Sequence, residues 1–258
     1  MSEKVIVITG ASGGIGAATA KILANRGDKV VLAARRLAEL KQVAAECGAG
    51  ALTVVTDVTR RADMEHLRDE AMRAFGRVDV WLNNAGRGIT RQVLDLTDDD
   101  IDQILAVNLR SALYGMQVIV PYFKEQGAGH LINVSSALGR VPFASQRSIY
   151  SASKAALNSL TANLRMDLRK AYPNIHVSVV MPPMVSTDFA KNALHGTPPP
   201  PPGFSSASGA AQTPEQTAAA IVDLIDHPRP EIYTNPDFSD LVARYYSDVA
   251  AFEENMGR

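Results

Sequence analysis

Tyr150 and Lys154 lie four positions apart in the stretch YSASK, with only small residues between them. A tyrosine hydroxyl titrates near 10 in model peptides, so it transfers protons poorly at neutral pH unless its surroundings favour the phenolate. On a helix, positions i and i+4 share one face at roughly 5–6 Å. A lysine charge at about 5 Å favours the phenolate by roughly 3 kcal/mol at an effective dielectric near 20. The pair therefore predicts a tyrosine of lowered pKa for general acid–base chemistry; the alternative is an exposed amphipathic pair.

A glycine-rich stretch, TGASGGIG at 9–16, lies between a β-branched run and a helical pattern. Glycines at such a turn permit positive φ and let backbone N–H groups approach a phosphate at the helix N-terminus. Tight turns also need glycine, so the strand before and the helix after are what indicate a dinucleotide site. The residues predicted to hold the cofactor here are Gly10, Ser12, Gly13, Gly14, Ile15 and Gly16.

The end of the second predicted strand favours one dinucleotide over the other. A carboxylate there would hydrogen-bond the adenosine ribose and favour NAD. This sequence has Ala34 instead, followed by Arg35 and Arg36. Guanidinium groups suit a 2′-phosphate, so the sequence predicts NADP(H); the alternative is that two arginines simply begin a solvated helix.

Strand and helix patterns alternate along most of the chain. Predicted strands lie at 4–10, 29–36, 51–59, 78–86, 130–136 and 175–182, with a possible edge strand at 231–234. Thr97 with Asp100 resembles a capping box, and Thr213 with Pro214 suits an N-cap and first helical position. The alternation predicts an α/β fold over 1–258: a single-domain, Rossmann-type, doubly wound parallel sheet with helices on both faces.

The composition bounds the function classes. The net charge of −1 gives no electrostatic reason to expect nucleic acid or an anionic membrane as partner. Cys47 is the only cysteine, and the five histidines show no metal-ligand spacing, so no disulfide and no metal site are expected. No signal-peptide arrangement and no run of roughly 18 apolar residues is evident. A cytoplasmic enzyme or binding protein is expected.

Two segments depart from the alternation. HGTPPPPPGFSSASGAAQ at 195–212 forbids regular structure through its prolines. It is either a disordered insertion or part of a flexible substrate lid over 190–213. The tail 237–258 has apolar residues at helical spacing and is predicted to pack as helix on its own subunit or a partner.

These features together resemble the short-chain dehydrogenase/reductase family over residues 4–190. The resemblance rests on TGASGGIG, NNAG at 83–86, Asn108 in VNL, Ser136 after the fifth strand, and YSASK. It implies that Tyr150 protonates the substrate carbonyl oxygen and Ser136 hydrogen-bonds it. It further implies that Lys154 holds the nicotinamide ribose and lowers the pKa of Tyr150. Asn108 would anchor a water that relays protons toward the lysine.

The resemblance also extends the cofactor site beyond the glycine-rich turn. Asp57 matches the adenine contact, and Thr187 matches the carboxamide contact. The further cofactor-binding residues it implies are Val58, Asn84, Ala85, Gly86, Tyr150, Lys154, Pro182 and Val185.

Two departures from the family pattern stand out. Ser136 precedes Tyr150 by 14 positions rather than 13, and Pro183 replaces the usual glycine after Pro182. The extra residue is expected in a loop over the site. Pro183 removes a backbone donor. Ser135 is expected to face the other side of its strand.

The expected activity is NADP(H)-dependent interconversion of a carbonyl and a secondary alcohol. The pocket walls are expected from Arg87–Thr90, Leu138–Arg147, Met184 and 190–212, with apolar surface from Phe143, Met184, Phe189 and Phe204. Arg147 is either a carboxylate contact or a solvated side chain. The alternatives are an epimerase or dehydratase with tightly bound cofactor, or a non-catalytic NADP-sensing protein. The resemblance implies a homodimer or homotetramer, assembled through helices around 100–124 and 150–170.

Overall fold

The computed structural model describes residues 3–196 and 211–256 of the chain. Seven strands form one parallel sheet in the order β3-β2-β1-β4-β5-β6-β7. The strands are β1 (Val5–Thr9), β2 (Lys29–Ala34), β3 (Ala51–Val55), β4 (Val80–Asn83), β5 (Gly129–Val134), β6 (Ile175–Met181) and β7 (Glu231–Tyr233). The prediction of an α/β doubly wound parallel sheet is confirmed, with β7 at its edge.

Helices cover both faces of the sheet because its strands are apolar on both sides. In β1, Val5 and Val7 point into one core, whereas Ile6 and Ile8 point into the other. The helices are α1 (Gly14–Asn25), α2 (Leu37–Cys47), α3 (Arg61–Phe75), α4 (Asp98–Leu105), α5 (Ser111–Gln126), α6 (Ser148–Leu168), α7 (Pro214–Asp226), α8 (Phe238–Ser247) and α9 (Val249–Met256). The first core packs against α3, α5 and α6, and the second packs against α1, α2 and α7.

Both predicted helix starts are confirmed. The Thr97 hydroxyl accepts a hydrogen bond from the Asp100 N–H, and the Asp100 carboxylate accepts one from the Thr97 N–H, each at 3.2 Å. The same reciprocal arrangement joins Thr213 and Gln216, with Pro214 as the first helical residue. These capping boxes fix where α4 and α7 begin.

The long helical stretch through α4 and α5 is apolar over a greater length than the sequence led us to expect. α4 and α5 are joined without a break through a π-helical turn, Ala106–Arg110. The resulting stretch, Asp98–Gln126, is 29 residues long and, by length and composition alone, apolar enough to cross a membrane. Half of its most apolar 18-residue segment is buried inside the protein, and Ile119 and Phe123 are fully buried. It is therefore a core helix of this fold.

The tail consists of two helices, α8 and α9, separated at Asp248. It packs on its own subunit: the Tyr246 hydroxyl donates to the Arg140 carbonyl at 3.1 Å, and the Phe238 ring lies 6.2 Å from Phe143. The Tyr245 ring contacts Tyr246 and Phe252 edge to face. The helical spacing of the tail thus corresponds to two helices, which contact the rest of the chain at Arg140 and Phe143.

Candidate active site

The turn after β1 forms an open cradle at the start of α1. Gly10 and Gly14 have φ values of 67° and 54°, which favour glycine. A Cβ on Gly16 would lie 2.5 Å from the Gly10 carbonyl oxygen, so no side chain fits there. α1 begins without a side-chain cap and without an acidic residue in its first turn. Its first N–H groups are therefore available to a pyrophosphate, and the residues present fit a dinucleotide.

Asn84 and Thr9 fasten this cradle to β4. The Asn84 side-chain amide donates to the Thr9 carbonyl at 2.9 Å and to the Gly10 carbonyl at 3.3 Å. The Thr9 hydroxyl accepts from the N–H groups of Asn84 and Ala85 at 3.0 and 3.1 Å. Sequence reasoning missed Thr9, because a threonine that ends a β-branched run is already explained by strand propensity.

The two arginines after β2 interact with different residues. Arg36 donates to the Ser12 hydroxyl at 3.0 Å, and it also pairs with Glu39 at 3.4 Å. Burial works to raise the pKa of Asp57, but hydrogen bonds from Thr59 and the charge of Arg35 outweigh it, so that pKa is lowered. The structure thus brings Arg36 to the glycine-rich turn and Arg35 within electrostatic reach of Asp57.

Tyr150 lies in the first turn of α6 and is only 9% exposed. Its ring meets Phe189 edge to face at 5.8 Å, and the Lys154 Nζ lies 5.9 Å from the ring centre. Burial raises the pKa of Tyr150, while an interaction with the Ser136 hydroxyl and the charge of Arg147 oppose that shift. The prediction of a lowered pKa is wrong for the chain by itself, because the spacing of the two residues did not show how deeply the Tyr150 side chain is buried.

Lys154 is a buried base without a carboxylate partner among the described residues. Its ammonium group donates to the Val134 carbonyl at 2.8 Å, and the side chain is fully enclosed. Burial lowers the pKa of Lys154 to about 8. At neutral pH the lysine therefore remains mostly charged, although the charge costs more than on a surface.

Asn108 occupies the π-helical turn between α4 and α5. Its side chain accepts from the Arg87 N–H at 2.8 Å and donates to the Arg87 carbonyl at 3.0 Å. It also donates to the Ser153 hydroxyl, which in turn donates to the Tyr150 carbonyl at 2.7 Å. Asn108 therefore ties the loop after β4 to α6. Sequence reasoning treated Ser153 only as a small residue within YSASK and missed this bridge.

A short 3₁₀ turn, Ala137–Gly139, lies between Ser136 and Tyr150. The Ser136 hydroxyl caps this turn by accepting from the Leu138 N–H, and it stays within interaction range of Tyr150. The Ser135 hydroxyl instead donates to the Lys154 carbonyl at 3.1 Å. The two serine hydroxyls therefore have different partners, both near α6, and the opposite facing of Ser135 stays a prediction.

The segment after β6 closes over the cradle. The Pro182 carbonyl accepts from the Ala137 N–H at 2.9 Å, and Val185 bridges to Gln212. A Cβ on Gly14 would lie 3.2 Å from the Thr187 methyl group. Thr187 therefore lies against the glycine-rich turn, in the neighbourhood that the cofactor prediction requires. Val58, also predicted to line the cofactor site, is buried in the core.

The predicted lid is described only in part. Leu194 bridges to Ile89, and the His195 imidazole contacts the Asp100 carboxylate at 2.6 Å, which holds residues up to 196 against the site. Residues 197–210, including Phe204, lie outside the described residues.

The other apolar residues expected in the pocket differ in exposure: Met184 is 45% exposed, and Phe143 packs against Phe238. Within the described ranges, no three His, Cys, Asp or Glu side chains come together as a metal site.

Residues 4–197 match a family model described as short chain dehydrogenase. The chain belongs to this family. An uncharacterised oxidoreductase of Staphylococcus saprophyticus is 36% identical over 189 residues, which cover 73% of this chain and 76% of the relative. This protein is thus an oxidoreductase of the short-chain dehydrogenase/reductase family.

Solved structures of the family are similar over nearly the whole chain. A short-chain dehydrogenase/reductase from Burkholderia phymatum in complex with NAD has a TM-score of 0.86 at 30% identity, covering 97% of this chain and 95% of that chain. An alcohol dehydrogenase from Thermococcus sibiricus, complexed with 5-hydroxy-NADP, has a TM-score of 0.77 at 25% identity, covering 90% and 96%. The family therefore binds nicotinamide dinucleotides, and both the NAD and the NADP type occur among these neighbours.

Proposed function

We propose that this protein is an NADP(H)-dependent oxidoreductase that interconverts a carbonyl and a secondary alcohol, with Tyr150 as acid and base. The observation that carries the proposal is the burial of Tyr150 and Lys154 side by side, with the Ser136 hydroxyl in reach of the tyrosine. The glycine cradle lies at the same edge of the sheet. This arrangement supports the proposal of a proton donor next to a site for a hydride-carrying dinucleotide.

Each residue has a defined task in reduction. The bound nicotinamide supplies the hydride. The raised pKa of Tyr150 keeps its proton in place at neutral pH, which is the form needed to protonate the carbonyl oxygen. Ser136 hydrogen-bonds that oxygen, and Lys154 holds the ribose and stabilises the tyrosinate once the proton has left. In oxidation Tyr150 takes the proton back. Asn108 holds α6 against the loop after β4, and it also anchors a water that relays protons toward Lys154.

The preference for NADP(H) is supported by the charges around the cradle. β2 ends in Ala34 rather than in a carboxylate, and Arg36 already reaches Ser12 in the glycine-rich turn. Arg35 adds a second positive charge near Asp57. A 2′-phosphate would be favoured by both guanidinium groups.

A panel of carbonyl compounds and alcohols, followed at the reduced-nicotinamide absorbance band, tests the activity. We expect net consumption of NADPH with at least one carbonyl class. Conversion of substrate without net consumption would favour the epimerase or dehydratase alternative. Tight NADPH binding without any turnover would favour a sensing protein.

Cofactor choice is tested by the ratio of kcat/KM for NADPH and NADH. We expect Arg36→Ala and Arg35→Ala to lower the NADPH preference by about 10- to 100-fold, since hydrogen bonds between charged groups are worth roughly 1.5–3 kcal/mol. Arg73→Ala is the matched control, because Arg73 is an exposed arginine of α3 that pairs with Glu70. An unchanged ratio in both test variants would show that neither arginine sets the cofactor preference.

The proposal extends to the setting of the enzyme. We propose a cytoplasmic homodimer or homotetramer that acts on a small substrate without a nucleic-acid or membrane partner. Sedimentation analysis tests the assembly: a monomer at micromolar concentration would contradict it.

A further inference from the structure

Arg147 immediately precedes α6 and lies half-buried, three residues before Tyr150. Its backbone is fixed from two sides. The Arg91 N–H donates to the Gln146 carbonyl at 2.8 Å, and the Ser148 hydroxyl donates to the Arg91 carbonyl at 2.7 Å. The guanidinium Nη1 donates to the Ile89 carbonyl at 3.1 Å. The side chain is therefore held in place rather than free in solvent.

Gly88 makes room for this guanidinium next to the catalytic tyrosine. A Cβ on Gly88 would lie 3.2 Å from the Arg147 Nη1 and 2.9 Å from the Phe189 ring. The same Phe189 ring contacts Tyr150. Arg147 and Tyr150 also influence each other electrostatically, since the charge of Arg147 works to lower the pKa of Tyr150. The guanidinium and the proton donor thus border one space.

The charge of Arg147 has no counterion within the described residues. Arg91 pairs with Asp100, and Arg140 pairs with Glu231, whereas the one described hydrogen-bond acceptor of the Arg147 guanidinium is the Ile89 carbonyl. Burial lowers the pKa of Arg147. A half-buried cation without an anion is costly and becomes favourable when a ligand supplies one.

We propose that Arg147 binds the carboxylate of the substrate, so that the substrates are short oxo acids and the corresponding hydroxy acids. This inference rests on the proposed function. Arg147 and Tyr150 are one helical turn apart, so the carboxylate lies a few bonds from the reacting carbonyl. In reduction, hydride forms the new C–H bond, Tyr150 gives its proton to the oxygen, and the carboxylate is unchanged. One NADPH is oxidised for each oxo acid reduced.

The test compares short oxo acids with their uncharged amides, in wild type, Arg147→Gln and Arg147→Lys. We expect wild type to prefer the acid and Arg147→Gln to lose about 10- to 100-fold in kcat/KM for the acid alone. Arg147→Lys should retain part of the preference because the charge remains. Arg165→Gln is the matched control: Arg165 lies in the same helix and also donates to backbone carbonyls, but those of Val177 and Pro230.

A binding measurement does not depend on turnover. Butanoate, a non-reacting short carboxylate, should raise the melting temperature of the wild-type NADPH complex and should leave that of Arg147→Gln unchanged. Equal effects of Arg147→Gln on acids and amides would overturn the inference, as would stabilisation by butanoate in both proteins. Reduction of neutral carbonyls without preference for acids would overturn the inference and leave the proposed function intact. Absence of any reduction together with absence of stabilisation would reject both.

Discussion

Two cations beside the candidate active site differ from the cations at the amino end of the parallel sheet in the partners that they have within the chain. At the amino end, cations and carboxylates pair within the chain: Lys4 and Arg26 contact Asp226 at 3.2 and 2.7 Å, and Arg77 contacts Asp79. At the carboxyl end, Lys154 and Arg147 bind only backbone carbonyls among the described residues. The amino-end cations are therefore paired without a ligand, whereas Lys154 and Arg147 would gain counterions from cofactor and substrate under the proposed function.

The two buried bases show the same difference. Near the amino end, the His130 imidazole contacts the Ser178 hydroxyl at 2.8 Å, and burial lowers the pKa of His130 to about 3. It is therefore neutral in the folded protein at any ordinary pH. Lys154 near the carboxyl end keeps a pKa of about 8 and stays mostly charged at neutral pH. Burial thus neutralises His130 in the core, whereas Lys154, to which we assign a role in the proposed reaction, keeps its charge.

The largest effect is expected from Tyr150→Phe. Removal of the hydroxyl should lower kcat by about 100- to 10,000-fold, the range for loss of a general acid. NADPH affinity and melting temperature should change little, because the ring and its contact with Phe189 remain. Tyr122→Phe is the control, since its hydroxyl hydrogen-bonds Gln126 on α5. Full activity of Tyr150→Phe would show that the buried tyrosine at the carboxyl end of the sheet is not the general acid.

The next effect concerns stability at the amino end. The pKa of His130 is about 3 in the folded state and near 6.5 in the unfolded state. Below pH 6.5 the unfolded state binds the extra proton, so the free energy of unfolding is highest above pH 6.5 and falls as the pH drops toward 3. Two pH units below 6.5 correspond to about 3 kcal/mol at most.

Denaturant unfolding at pH 7 and pH 4.5 measures this loss. His130→Gln should lack this part of the pH dependence, whereas His176→Gln should retain it. His176 is the matched control because its ring lies 5.8 Å from His130 but is exposed. The same pH dependence in all three proteins would show that His130 is not its source.

A smaller effect is expected from Asp28→Asn. The Asp28 carboxylate is buried, pairs with Arg26 and accepts from the Lys4 N–H at 2.9 Å. Loss of its charge should lower the free energy of unfolding by about 1–3 kcal/mol while kcat stays the same. The exposed Asp223, which pairs with Arg229, is the control, and Asp223→Asn should cost at most about 1 kcal/mol. A loss of kcat without a loss of stability would contradict the assignment of Asp28, at the amino end of the sheet, to stability alone.

Sequence patterns predicted the elements better than the environment of the site. Apolar β-branched runs and helical periodicity, with the caps at Thr97 and Thr213, were enough for the sheet and its helices because they report local structure. Spacing also predicted that Tyr150 and Lys154 share a helix face. It could not predict the raised pKa of Tyr150, because that depends on burial among side chains from other segments, including Ile89, Ile104 and Phe189.

Residues that act through small polar contacts were also beyond the sequence. Thr9 and Ser153 are ordinary strand and helix residues by type, and only their partners Asn84 and Asn108 give them a role. The membrane-length stretch through α4 and α5 illustrates the opposite case. Its continuity depends on the π-helical turn around Asn108, and its burial depends on the neighbouring helices and sheet.

The proposed reaction transfers hydride between a nicotinamide and a carbonyl carbon at the carboxyl end of the sheet. The most direct measurement uses NADPH carrying deuterium at C4 of the nicotinamide, on the face from which it is transferred, with a panel of oxo acids and neutral ketones. The account predicts one deuterium on the carbinol carbon of the product for each NADPH consumed. Substrate conversion with no deuterium in the product, or NADPH binding with no conversion across the panel, would contradict it.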